Sequence, residues 1–174
     1  IPDYDVLIVD EAQHLEEEAT KQFGFEVGQR TLHDHFEELN SDHGLLHSAV
    51  AAFHGSNAAT SRRKTTESTV ARISNMLPLI RDNVASLFGL MGNFIDGSNQ
   101  SEPQVRITAS TRTQPAWSDV EIQWENVDVS MKQLQTELNG LGTALAGLDN
   151  SGMRDYDSLL MELTGITQTT MELR

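Results

Sequence analysis

Residues 127–148, VDVSMKQLQTELNGLGTALAGL, repeat an apolar side chain at alternating spacings of four and three. This spacing brings the apolar side chains onto one face of an α-helix and is typical of a coiled-coil-like seam. Three glycines within the seam each weaken the helix by about 1 kcal/mol relative to Ala. They either let another helix approach closely or leave the seam mobile. We predict a helix from Ser118, as N-cap, to about Leu148. The seam consists of Val127, Met131, Leu134, Leu138, Leu141, Leu145 and Leu148.

Two further stretches carry an apolar face at helical spacing. Residues 67–94 hold one of them, interrupted by Pro78, which removes a backbone hydrogen bond and typically kinks a helix. Residues 156–173 hold the other and follow the turn-forming residues 149–152. Long helices joined by so short a turn lie antiparallel. The pattern therefore predicts a mainly α-helical fold, an elongated antiparallel bundle.

Shorter segments connect these helices. Their apolar spacing and their turn-forming residues predict brief elements with polar connections. They are helices at 31–39 and 45–53, a polar loop or helix start at 57–66, a linker at 96–101, a short strand at 105–108 and a loop at 111–115.

Residues 6–14, VLIVDEAQH, follow a different pattern. The four apolar residues predict a strand buried on both faces, as in a parallel sheet. Asp10 and Glu11 follow at the carboxyl end of that strand, where open α/β folds bind ligands. In P-loop nucleotide hydrolases this Asp helps to hold Mg²⁺, and the adjacent Glu can polarise the attacking water. Alternatively, the two carboxylates only stabilise the N-terminus of a following helix through its dipole.

The wider run at residues 3–20, DYDVLIVDEAQHLEEEAT, resembles motif II of the DinG/XPD group of superfamily 2 (DEAH-type) DNA helicases. In that group a large helical insertion, the Arch domain, follows motif II before the motor fold resumes. The resemblance implies that residues 1–23 are the motif II strand and following helix of a P-loop α/β motor domain. It also implies that residues 24–174 are an Arch-like insertion. Gln13 stands where the group has His, at a position that couples hydrolysis to movement, and its amide can still form hydrogen bonds.

The resemblance implies a bacterial, DinG-like, ATP-dependent DNA helicase that acts in DNA repair. Asp10 would be its Mg²⁺ ligand and Glu11 its catalytic residue, with Mg²⁺ and ATP as cofactors and single-stranded DNA as partner. We expect this chain to be an internal fragment that lacks the phosphate loop and is inactive alone. We also expect the orphaned strand to pack on the bundle, to pair with a second copy, or to take a non-native form.

Charge and cysteine content narrow the function classes. The 174 residues carry a net charge of −14, and a surface this acidic repels phosphate, so most DNA contacts would belong to the motor domains. The absence of cysteine excludes disulfides and thiolate metal sites in this chain, and leaves open whether its parent carries an iron–sulfur cluster. Because no stretch of about 18 apolar residues and no signal peptide is present, we expect a cytoplasmic protein without a membrane partner.

Three other groups of residues have both a functional and a structural interpretation. Arg62, Arg63 and Lys64 either contact a DNA phosphate or form a solvated loop. Trp117 and Trp124 either stack on single-stranded bases or pack at the end of the bundle. Five of the six histidines lie between residues 33 and 54, and they either chelate a metal, with His43 and His47 at helical spacing, or are solvated or capping.

Two competing functions remain open. The chain is alternatively a stand-alone helical interaction module in which Asp10 and Glu11 are incidental. An RNA helicase is a weaker alternative, because a helical insertion of this length directly after motif II suits the DinG/XPD group better. A glycine-rich phosphate loop encoded upstream would decide for the helicase.

Overall fold

The computed structural model describes residues 12–15, 27–97, 106–148 and 156–173. Within these ranges every regular element is helical and no β-strand occurs, so the predicted mainly α-helical fold is confirmed. None of the described helices is long and apolar enough to span a membrane. The elements are a 3₁₀ turn at Ala12–His14, α1 (Gln29–Asn40), α2 (Leu45–Gly55), α3 (Thr60–Gly97), α4 (Ala109–Arg112), α5 (Pro115–Ala146) and α6 (Tyr156–Glu172).

The two longest helices, α3 and α5, form an antiparallel pair. Near the start of α3, the Arg72 guanidinium donates to both carboxylate oxygens of Glu137, near the end of α5, at 3.1 and 2.8 Å. Near the end of α3, Phe94 packs edge-on against Trp117, near the start of α5, with ring centroids 5.4 Å apart. The contacts therefore run in opposite order along the two helices, as expected for an antiparallel bundle.

Three shorter helices close the bundle over part of this pair. α6 packs on α5 and on α2, while α1 and α2 pack on α3. The Tyr156 hydroxyl donates to the Leu145 carbonyl oxygen at 2.7 Å, which fixes the start of α6 against the end of α5. A Cβ atom at Gly142 would lie 3.4 Å from Leu163 Cδ2, so this seam glycine lets α6 approach closely. α5 and α6 are thus antiparallel, as predicted.

The predicted apolar faces form the core. Every position of the seam is buried, and Leu134, Leu138 and Leu145 are wholly inaccessible. On α3 the predicted face is buried as well, with Val70 and Met91 partly so. α3 continues through Pro78, which is exposed, so this proline does not end the helix. The period of the apolar residues was therefore a reliable guide to burial.

Three predictions between residues 105 and 118 were wrong. Residues 106–108 are not a strand, because Thr108 forms a reciprocal capping box with Thr111 that starts α4. The loop predicted at 111–115 is shorter, since Arg112 still belongs to α4. α5 begins at Pro115 with Gln114 as N-cap, so Ser118 is not the cap; proline suits the first helical position because its missing N–H needs no partner there.

Other boundaries moved by a few residues. α3 begins at Thr60, so residues 60–66 are a helix start and not a loop, and it ends at Gly97, inside the predicted linker. The helix expected to follow the motif II strand is described only at residues 12–15, where Ala12–His14 form a 3₁₀ turn. The strand predicted at 6–9 and the turn predicted at 149–152 lie outside the described residues.

Candidate functional site

The motif II run is described only in part. Asp10 and Glu11 lie outside the described residues, so their geometry stays a prediction. Gln13 lies in the 3₁₀ turn that follows them, and the neighbouring His14 is exposed. Leu15, directly after the turn, keeps 54% of its surface exposed, so none of the described bundle helices covers it.

The basic residues Arg62, Arg63 and Lys64 lie at the start of α3. The Arg62 guanidinium donates to the Gly147 carbonyl oxygen at 3.1 Å, beyond the end of α5. The Arg63 guanidinium donates to the Ser56 carbonyl oxygen at 2.8 Å, at the end of α2. Both arginines therefore fasten the start of α3 to neighbouring helix ends. Lys64 is exposed on the same helix.

The histidines do not gather into a metal site. The described residues contain no group of three or more His, Asp or Glu side chains that could hold a metal ion. His43 and His47 are exposed, and His54 Nε2 lies 2.9 Å from a carboxylate oxygen of Glu67. In the described part of the chain, the metal interpretation of the histidines gains no support.

His35 differs from the exposed histidines, because it is buried between α1 and α6. Its Nε2 lies 2.8 Å from the Thr170 hydroxyl oxygen, and that hydroxyl donates to the Ile166 carbonyl oxygen at 2.8 Å. Burial lowers the pKa of His35 below its ordinary value of 6.5, and the nearby Glu38 carboxylate opposes this only in part. The ring is therefore neutral near pH 7 and donates through Nε2–H. Its role is structural.

The two tryptophans have different environments. Trp117 is buried against Phe94, and its Nε1–H donates to a Glu121 carboxylate oxygen at 2.7 Å. Trp124, two turns further along α5, keeps 46% of its surface exposed. The interpretation as a packing contact is thus confirmed for Trp117, whereas Trp124 lies at an open surface.

That surface is an apolar groove of about 440 Å³ between α3 and α5, which we call the α3/α5 groove. Phe88 and Met91 line it from α3, and Trp124 and Val127 line it from α5. Leu173, at the end of α6, borders it, so the groove begins where α6 stops covering the pair. Arg112 and Glu121 are the only charged residues among its described lining residues.

Sequence reasoning missed this groove, although one signal pointed to it. The apolar stripe of α6 is much shorter than that of α5, because the helices have 17 and 32 residues. A helix of 17 residues cannot cover one of 32, so part of the inner face of α5 had to stay open unless another segment filled it. Apolar surface of this kind suits the binding of another apolar surface. Searches against protein-family models, curated proteins and solved structures found no match to this chain.

Proposed function

We propose that this chain supplies motif II and the helical insertion of a DinG/XPD-like, ATP-dependent DNA helicase. The observation that supports the proposal is the order of two features along the chain. The run VLIVDEAQH, which resembles motif II, is followed along the chain by a bundle whose described elements are all helical. A long helical insertion directly after motif II is the arrangement that the resemblance implies.

In the proposed enzyme, Asp10 and Glu11 perform the chemistry. Carboxylate oxygens are the ligands that Mg²⁺ prefers, so Asp10 fits the role of holding the metal beside the phosphates of ATP. Bound Mg²⁺ would supply positive charge that offsets the charge developing on those phosphates. Glu11 orients and polarises the water that attacks. Gln13, two residues along the chain from Glu11, would supply an amide for coupling hydrolysis to movement.

The bundle has a mechanical part in this proposal: it helps to guide single-stranded DNA. Its acidic charge weakens direct phosphate binding, so the motor domains would make most DNA contacts. Within the basic cluster, Arg62 and Arg63 already bond to backbone carbonyls, and the exposed Lys64 is the best placed to meet a phosphate.

The experiment is DNA-stimulated ATP hydrolysis by the full-length natural protein that contains this chain. We expect Glu11→Gln to lower kcat by about 100-fold or more, because the general base is lost. Glu162→Gln, the same substitution at an exposed position of α6, is the matched control and should retain activity. The 174-residue chain alone should hydrolyse no ATP.

Three results would contradict the helicase. The first is ATP hydrolysis by the full-length protein that does not respond to DNA. The second is equal hydrolysis by the Glu11→Gln and Glu162→Gln variants. The third is DNA-stimulated hydrolysis by the 174-residue chain alone that Glu11→Gln abolishes. A gene that encodes no phosphate loop upstream of Ile1 would favour the second candidate, a helical interaction module. The exposed apolar α3/α5 groove is the observation that keeps this second candidate in view.

A further inference from the structure

We propose that the α3/α5 groove is the docking site for a basic amphipathic helix of a partner protein. The inference rests on the groove's shape, lining and charge. It is independent of the helicase proposal and holds equally for a stand-alone module.

The shape of the groove suits one helix. In the closed part of the bundle α6 lies against α5, and beyond Leu173 the same side of the α3–α5 pair continues as the groove. From Trp117 to Met131, both of which line it, α5 rises about 21 Å at 1.5 Å per residue. A docked helix of about 14 residues would therefore continue the path of α6 and restore the packing of the bundle.

The lining suits the apolar face of such a helix. Trp124 and Phe88 offer aromatic surface from opposite sides, and Met91 is a flexible apolar contact. Val84 and Leu87 extend this apolar surface along α3.

The charge of the groove's edge selects a basic partner. Glu121, Glu125 and Asp128 follow one another along α5 at spacings of four and three, so they share one side of the helix. Residues 115–131 contain four acidic and no basic side chains. Lys132 pairs with Asp128 at 2.6 Å, and Arg112 lines the groove at its other end, so Glu121 and Glu125 supply most of the negative charge at this edge. Lysines on a docked helix would meet this carboxylate edge.

The same acidic side chains disfavour three other occupants of the groove: a second copy of this chain, the segment before α1, and nucleic acid. A second copy of this chain would bring another net charge of −14 against the groove. The residues that precede α1, 16–26, carry four Glu and a single Lys, so they would also meet the carboxylate edge with like charge. Nucleic-acid phosphates would be repelled in the same way.

The experiment uses a fluorescein-labelled peptide of about 14 residues, with Leu at helical spacing on one face and Lys on the other. Binding to the 174-residue chain is measured by fluorescence anisotropy. A scrambled peptide of the same composition tests for non-specific charge attraction, and a peptide with Glu in place of Lys tests the charge preference. We expect both controls to bind at least about tenfold more weakly, because each loses one of the two kinds of contact.

A pair of variants locates the site. Trp124→Ser should weaken binding of the Lys peptide by about tenfold or more, because it removes the exposed aromatic side chain from the groove. Ile122→Ser is the matched control, since Ile122 is 59% exposed on the same helix and does not line the groove. We expect its affinity to change by less than about twofold. Binding should also shift the tryptophan emission to shorter wavelength, and Trp124→Ser should abolish that shift.

Four outcomes would overturn the proposal. The first is equal binding of the Lys peptide and its scrambled form. The second is an equal effect of Trp124→Ser and Ile122→Ser. The third is a dimer in sedimentation that Trp124→Ser dissociates and Ile122→Ser does not, because a second copy would then fill the groove. The fourth is peptide binding that appears only after residues 1–26 are removed, because that segment would then be the occupant.

Discussion

The α3–α5 pair has two sections that differ in what covers them. In the closed section, residues 60–80 of α3 and 134–146 of α5, the shorter helices α1, α2 and α6 complete the packing. In the open section, residues 84–97 and 115–131, the two helices meet each other along one side and form the α3/α5 groove on another, where Val27 and Leu32 at the start of α1 border it. Leu138 in the closed section is wholly buried, whereas Trp124 in the open section is nearly half exposed.

This difference separates a section of the helix pair that is packed on further sides from a section whose apolar surface we propose binds a partner. The apolar stripe that runs along both sections drives α3 and α5 together. In the closed section the remaining apolar surface is also removed from water by a second layer of helices, which adds to stability. Among the described residues, α6 does not extend over the open section, so the apolar surface that lines the groove there stays accessible. The following predictions test this division.

The largest expected effect comes from one substitution made in each section of the same helix. Leu77, in the closed section, is 1% exposed, and Leu87, which lines the groove, is 6% exposed. Leu77→Ala should cost about 3–5 kcal/mol, because it leaves an enclosed cavity. Leu87→Ala should cost only about 2–3 kcal/mol, because solvent and neighbouring side chains can enter the space. Urea unfolding followed by circular dichroism measures both, and a larger loss for Leu87→Ala would contradict the division.

The sequence predicted the helices well, because their existence depends on local periodicity. The seam on α5 and the stripe on α3 were both assigned from spacing alone, and both are buried. Helix starts were predicted less well, because they depend on single polar contacts such as the capping box of Thr108. The weak apolar alternation at residues 105–108 favours a strand, but the hydrogen bonds between Thr108 and Thr111 favour a helix start and determine the local structure.

The groove was not predicted, for a different physical reason. The spacing of apolar residues indicates which side chains favour burial, but not which neighbouring helix covers them. Trp124 continues the apolar face of Trp117 in sequence, yet only Trp117 has an aromatic neighbour on α3. For the motif II residues, the resemblance assigns roles to Asp10 and Glu11 from a short run of sequence, and both residues lie outside the described part of the chain.

The next largest effect concerns the junction of α1 and α2, which helps to cover the closed section. A Cβ atom at Gly44 would lie 2.6 Å from the Glu38 carbonyl oxygen and 2.9 Å from that of Leu39. Both are backbone atoms that cannot move aside alone, so Gly44→Ala should cost about 1–3 kcal/mol. Gly55→Ala is the matched control, because no atom lies within 4 Å of its added methyl group. Thermal unfolding compares the two variants. Equal melting temperatures would contradict the prediction, because they would show that the backbone at the α1–α2 junction shifts at little cost.

A smaller effect should appear as a pH dependence of the closed section. Because folding lowers the pKa of His35 from 6.5, the unfolded chain binds a proton more readily than the folded one. The contribution of the neutral His35 ring to the free energy of unfolding is therefore complete above about pH 6.5. It is lost as the pH falls from there toward the folded-state pKa. His35→Gln, whose amide can still donate to Thr170, should lose this component of the pH dependence. His33→Gln, exposed on the same helix, should keep it, and urea unfolding at about pH 7.5 and 5.5 compares all three proteins.

The smallest effect separates two seam glycines that lie two residues apart. A Cβ atom at Gly140 would meet nothing within 4 Å, so Gly140→Ala should stabilise the protein by up to about 1 kcal/mol through helix propensity. At Gly142 the same methyl group would lie 3.4 Å from Leu163 Cδ2, where α6 covers α5. Leu163 would have to shift slightly, which offsets part of the gain, so Gly142→Ala should stabilise less. An equal rise in melting temperature for the two variants would contradict this prediction. It would show that Leu163 moves aside at no cost and that α6 does not pack tightly on α5 at Gly142.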